Sequence, residues 1–138
     1  TKQLHALIAN LKVSNHVELH EDFVAEKDMF PYIDDSEIVL LPYRRATMSG
    51  ILAHIMSRGA PSVMSDLPPF VEITKRKAFY YKNGDHRDLA RQIVALFKDK
   101  DAQEKMSKEF HKLAEEYLWK NIAKRTLVGY KAVLAYRK

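Results

Sequence analysis

The 138-residue sequence contains no cysteine. A disulfide scaffold, a thiolate metal centre and a cysteine nucleophile are therefore excluded. Glycine and proline are scarce, at four and five residues. Apolar clusters recur along the whole chain, so the composition is that of a folded protein rather than a disordered one. No apolar run approaches the roughly 20 residues that cross a bilayer, and no signal-peptide pattern opens the chain. No internal repeat or low-complexity linker is present. What remains is ordinary: 46% hydrophobic and 30% charged residues, enough for one domain with one core. The expected location is the cytoplasm.

The net charge of +5 is unevenly spread. Residues 1–69 carry 6 Lys/Arg against 9 Asp/Glu, and residues 70–138 carry 17 against 9. A basic half can attract nucleic acid, acidic lipid or phosphorylated ligands. Here the lysines alternate with glutamates on helical segments, as on a solvated helix face. No reading helix or aromatic sheet face accompanies them, so nucleic acid is not an expected partner.

Helical and strand patterns alternate. Leu4, Leu7, Ile8 and Leu11 have helical spacing over residues 2–12. Residues 17–20 (VELH) read as a short strand, and residues 26–34 as a short helix disturbed by Pro31. The apolar run 37–41 (EIVLL) reads as a buried parallel strand closed by Pro42. Residues 48–58 predict a helix with Ser49 as N-cap and Gly59 as its stop. A strand follows at 61–65, then a short helix opened by Pro68 and Pro69. The last strand spans 78–81 and ends at Asn83-Gly84. Three helices close the chain, at about 85–98, 101–117 and 119–136, with Asp85 and Asp101 as N-caps of the first two. Their apolar faces are Leu89, Ile93, Leu96 and Phe97, then Met106, Phe110, Leu113 and Tyr117, then Ile122, Leu127, Tyr130, Val133 and Leu134. The fold class is α/β, a doubly wound parallel sheet with helices on both faces. Such sheets bind ligands beyond the carboxyl ends of their strands.

Chemistry is therefore sought in the loops after Leu41 and Ser65. Residues 41–50 (LPYRRATMSG) run from a strand, through a basic loop, into a helix. A helix N-terminus offers free N–H groups and partial positive charge, which suits phosphate. Gly50 lets a ligand approach the backbone. Arg44 and Arg45 can add charge-assisted hydrogen bonds to phosphate oxygens.

This segment resembles the nucleotide-sugar half of retaining glycosyltransferases of family 4 (group 1), which have the two-domain GT-B fold. Leu41-Pro42, Ser49-Gly50, Gly59, Pro61-Ser62-Val63 and Ser65-Asp66 match the family's order and spacing. The resemblance extends through Val17-Glu18-Leu19, Pro69-Phe70-Val71-Glu72, Gly84-Asp85 with Leu89-Ala90, and Tyr117-Leu118-Trp119. It implies a Rossmann-like, donor-binding domain over residues 1–138, the second half of a GT-B fold. The partners it implies are a nucleoside-diphosphate sugar and an N-terminal acceptor domain of the same protein. No metal or other cofactor is expected. Because many such relatives use lipid-linked acceptors, a peripheral contact at the inner face of the membrane is a further expectation.

The site residues it implies are Arg44, Arg45, Thr47, Met48, Ser49, Gly50, Ile51 and His54 for the donor, with Phe23 and Val24 in the region of the base. Glu72, taken to start its short helix, either caps that helix or faces the donor. Two departures stand out. Where the family carries two glutamates eight positions apart, this sequence has Ala46 and His54. An imidazole can still bond a ribose hydroxyl; Ala46 can bond nothing. The resemblance also begins after the family's second strand, so the chain is expected to be a fragment of a longer one or to complete its sheet with a partner. A catalytically degenerate binding or assembly module is the alternative reading. Half of a sugar-nucleotide epimerase is a third, disfavoured by the motifs beyond Gly84.

The remaining candidates are structural. The six histidines are scattered, and His16 and His20 on one strand face would stand about 13 Å apart, too far for one zinc. Asp34-Asp35 and Glu21-Asp22 read as turn and cap residues.

Overall fold

The computed structural model describes residues 2–136. They fall into two units, with the boundary between Tyr32 and Ile33.

The first unit holds helix α1 (Lys2–Asn10), a 3-10 turn (Ser14–His16) and most of helix α2 (Glu26–Asp34). Helix α1 is closed by Lys12, two residues beyond its end, whose φ of 57° is left-handed. The N–H groups of Lys12 and Val13 bond back to the carbonyls of Ala9 and Ile8 at 3.0 and 3.2 Å, the double closure of a Schellman end. The strand expected at 17–20 does not form. A strand needs a neighbour for its backbone groups, and among the described residues none pairs with this segment. His20 instead packs on the ring of Tyr32, with centroids 5.1 Å apart.

The second unit is built on a parallel sheet of β1 (Val39–Leu41), β2 (Ser62–Ser65) and β3 (Phe79–Tyr81), in that spatial order. Leu40 stands beside Val63, and Val63 beside Phe79. All four residues of β2 are buried, as expected of a central strand covered on both faces. Among the described residues β1 pairs only with β2, and its Leu40 is 39% exposed.

Helices α3 (Gly50–Arg58) and α4 (Pro68–Ile73) make the two crossovers. Helices α5 (His86–Lys98), α6 (Lys100–Glu116) and α7 (Trp119–Tyr136) follow. Helix α5 packs on β2 and β3, and α6 packs on both α3 and α5. Leu52, Ile55, Val63, Met64, Phe70, Leu96 and Phe110 are almost fully buried in this core. Among the described residues no helix is long and apolar enough to cross a membrane.

The caps of α3 are those its sequence predicts. The Ser49 hydroxyl accepts the Leu52 N–H at 3.3 Å. Gly59 sits at φ 63°, and the N–H groups of Gly59 and Ala60 close on the carbonyls of Met56 and Ile55. Asp85 caps α5. Helix α6, however, is capped by Asp99, which accepts the Ala102 N–H at 2.9 Å, and not by Asp101. Helices α5 and α6 meet with almost no linker, so the cap position falls two residues earlier than Asp101 suggests. Phe97, expected in the apolar face of α5, is 50% exposed and lies under the Lys100 ammonium, 5.3 Å from the ring centre. Tyr117 is also exposed. In α7 only Ile122 of the expected stripe is half-buried; Leu127, Tyr130, Val133 and Leu134 are exposed.

Gly59 joins helix end to core packing. A Cβ there would lie 2.5 Å from His111 Nε2 and 2.5 Å from Ser107 Oγ, both on α6. Gly59→Ala therefore meets left-handed strain and crowding together, at a cost of about 2–3 kcal/mol, measurable by urea unfolding. Adding His111→Ala should recover part of that loss. A loss under about 0.5 kcal/mol, the range of an ordinary surface change, would show that α3 and α6 are not held at this distance.

Candidate functional site

Because the three strands are parallel, their carboxyl ends share one edge of the sheet. From it emerge the loops 42–49, 66–67 and 82–85. Each carries residues that the fold brings together.

The first loop leads into α3. Ser49 is extended, at φ −141° and ψ 113°, and its hydroxyl satisfies only the Leu52 N–H. A helix leaves its first four N–H groups without helical partners, so the N–H groups of Gly50 and Ile51 face outward. Gly50 is exposed, and a Cβ built on it would meet nothing within 4 Å. His54 lies one turn on, on the same helix face as Gly50, and is half-buried. Before the helix, a cavity of about 430 Å³ is lined by Tyr43, Arg45, Ala46, Thr47 and Met48. No carboxylate lines it. Met48 is 83% exposed, and Ile51 is also exposed. Tyr43 is braced against Phe70 of α4, with ring centres 5.6 Å apart.

The two arginines diverge. Arg45 lines the cavity. Arg44 turns to the third loop, where a Cβ on Gly84 would come within 3.1 Å of its Nη1. Gly84 has φ 86°, so glycine is favoured there twice over. The Asn83 side chain donates from Nδ2 to the Arg44 carbonyl at 2.9 Å. The Asn83 N–H donates to Asp66 Oδ1 at 2.8 Å, and the Asp66 N–H to the Tyr81 carbonyl at 3.0 Å. All three loops are thus cross-tied. Beneath them, burial pushes the Tyr81 phenol above its ordinary value; Arg44 opposes that shift and Asp66 adds to it.

The third loop is anchored by two carboxylates. Asp85 accepts the N–H groups of Asp88 and Arg87, each at 3.0 Å. Asp88 accepts the Lys82 N–H at 2.7 Å, and also bonds Arg91 and Gln92. These backbone donors hold both carboxyls below the usual aspartate value.

Glu72 is the penultimate residue of α4, whose N-cap is Leu67. It cannot cap that helix N-terminus, which corrects the expectation that it begins the helix. It is exposed and lines a cavity of about 520 Å³ with Asp66, Pro68, Val71 and Arg76. Phe23 and Val24 belong to the first unit, where both are exposed. The ring of Phe23 is 95% exposed, so it does not serve as packing there. No group of three or more metal-ligating side chains comes together among the described residues. Sequence reasoning missed Asp66, Tyr81, Asn83 and Gly84 as site residues. Asn83-Gly84 read only as the stop of a strand, and Asp66 only as part of a motif.

The family profile "Glycosyl transferases group 1" matches residues 1–99. No curated protein matches the chain. Among solved structures, sucrose-phosphate synthase from Thermosynechococcus elongatus superposes with a TM-score of 0.79 at 14% identity. The superposition covers 98% of this chain and 34% of that protein. The chain therefore spans about a third of its structural relative, and at this identity the likeness is one of fold.

The anchored third loop generates a pH prediction. A carboxyl held below its ordinary value in the folded state contributes stability that is complete above that ordinary value, near pH 4. The contribution is lost as pH falls through the lower, folded value. Replacing both carboxyls, Asp85→Asn with Asp88→Asn, keeps acceptors for the backbone but removes the titration. In urea unfolding at pH 6 and pH 3, the wild-type chain should lose more stability on acidification than the double variant. Equal losses would mean that these carboxylates do not anchor the loop.

Proposed function

The chain belongs to the group 1 glycosyl transferases, and on that footing we propose that residues 1–138 form the donor-binding part of a retaining, family 4-like enzyme of the GT-B fold. Its substrate is a nucleoside-diphosphate sugar. The observation that carries this reading is the open helix N-terminus at Gly50, beside a cavity bearing Arg45 and flanked by Arg44. A diphosphate there would accept hydrogen bonds from the N–H groups of Gly50 and Ile51 and draw on the helix dipole. The guanidinium groups would supply the charge that neutralises it. Thr47 and Met48 line the approach, and His54 offers a ring nitrogen to a ribose hydroxyl. Phe23 and Val24 are proposed for the region of the base, and Glu72 as a residue facing the donor. The acceptor would be held by an N-terminal domain, and the reaction would run in the cytoplasm, with a peripheral contact at the membrane's inner face. No nucleic acid, metal or other cofactor enters this reading.

Gly50→Leu tests it directly. The space before Gly50 is empty of protein atoms, so the variant should fold normally. It should weaken binding of UDP, GDP or ADP, whichever the wild-type chain prefers, by roughly a hundredfold, about 2.7 kcal/mol. His54→Ala should cost roughly three- to tenfold, the net worth of one hydrogen bond. Unchanged affinity in Gly50→Leu would remove the diphosphate from this helix.

One observation favours a second reading. The cavity before α3 is lined by Ala46 and contains no carboxylate, where the resemblance puts the first of two glutamates. The domain would then bind the nucleotide sugar without transferring it, as a binding or assembly module. An assay of the full-length protein for sugar transfer and donor hydrolysis separates the two. Turnover of either kind would rule out the module; intact nucleotide binding without turnover would favour it.

A further inference from the structure

The guanidinium of Arg44 has five donors, and no described carboxylate pairs with it. The Arg44 backbone is tied to the loop after β3, and the guanidinium lies against that loop. The Asn83 side chain donates to the Arg44 carbonyl at 2.9 Å, and Nη1 lies where a Cβ on Gly84 would come within 3.1 Å. Asn83 is itself fixed by Asp66 at the end of β2, and Gly84 leads directly into the Asp85 cap of α5. An exposed arginine ordinarily samples many rotamers, and ordering it costs side-chain entropy. A charge held in place before the ligand arrives avoids part of that cost on binding.

We propose that Asn83 and Gly84 are positioning residues that seat the Arg44 guanidinium at the mouth of the sheet, where it receives the donor's phosphate charge. This rests on the donor-site reading above and adds to it a role for the loop after β3. The division of labour differs between the arginines: Arg45 belongs to the cavity before α3, and Arg44 is carried by a loop 39 residues further along the chain.

Two measurements on the full-length protein test the seat. The first needs no ligand. Hydrogen–deuterium exchange of the segment 42–48 should accelerate in Asn83→Ala, and in Gly84→Ala, whose Cβ displaces the guanidinium. Asn83→Ala makes no demand on backbone conformation, so it remains informative where Gly84→Ala fails to fold. Unchanged exchange in Asn83→Ala would overturn the seat. The second is a double-mutant cycle read by nucleotide affinity. Asn83→Ala should weaken binding about tenfold in the wild-type background and leave it unchanged in the Arg44→Ala background. A structural role alone would weaken both equally and would overturn the proposal. If Arg44→Ala leaves affinity intact while Gly50→Leu destroys it, the seat is wrong and the donor site stands. If Gly50→Leu also leaves affinity intact, both fall.

Discussion

The strand β2 can be buried only because it is hydrogen-bonded on both edges and covered on both faces. Ser62, Val63, Met64 and Ser65 are all inaccessible to solvent. An unpaired backbone group in that position would cost as much as a lost hydrogen bond. The pairing with β1 and β3 is parallel throughout, and from this the rest follows. Parallel strands need crossovers, which fixes α3 and α4 between them. Parallel order also places every strand's carboxyl end on one edge, so loops far apart in sequence are delivered to the same place. The Ser65 hydroxyl, buried without a partner at that end of β2, marks where the sheet stops being an apolar core.

The site gains definition from the loops bonding to one another as well as to the sheet. Asp66 holds Asn83, Asn83 holds Arg44, and Asp88 holds Lys82. Each bond satisfies a loop N–H or carbonyl that would otherwise depend on water. On the core side, Gly59 does the corresponding work: its missing Cβ lets α3 approach α6, and α3 is the helix whose N-terminus opens at Gly50. The two ends of one nine-residue helix thus serve opposite needs, close packing at one and open space at the other.

What could be read in the sequence was local. Ser49 and Gly59 bracket α3 because capping chemistry depends on residues within one turn. The strands are foreseen at 37–41, 61–65 and 78–81, the first as an apolar run closed by Pro42 and the last ended at Asn83-Gly84, and they form at 39–41, 62–65 and 79–81. The family resemblance points to Gly50 as a candidate site for the same reason, since its motifs are contiguous. The failures lie where a neighbour decides. Residues 17–20 alternate as a strand does, yet alternation forms a strand only beside another. Asp101 is a good cap residue, but Asp99 holds the position because α5 and α6 abut. The tie between Asn83 and Arg44 spans 39 residues, and no spacing rule reaches that far. Nor could the sequence tell which arginine turns to the cavity and which to the loop, because adjacent residues of one basic loop carry no spacing signal that separates them.

Net charge by halves does not single out the candidate site. The surplus of cations lies in residues 70–138, and it invites a basic binding face. Part of it is engaged on helix surfaces: Lys75 with Glu116, Lys77 and Lys112 with Glu109, Lys108 with Glu104, and Lys100 with Glu37. Exposed pairs of this kind add little stability, typically under about 1 kcal/mol each. They do cancel local charge, and they hold the Glu109 carboxyl below its usual range, chiefly through Lys112 and Lys77. Arg44 and Arg45 sit in the half whose balance is acidic, yet no described carboxylate pairs with either. A cation's value to an anionic ligand depends on whether its charge is already spent. By that measure Arg44 and Arg45 keep their charge for an anionic ligand at the sheet edge, although they lie in the half of the chain whose net charge is acidic.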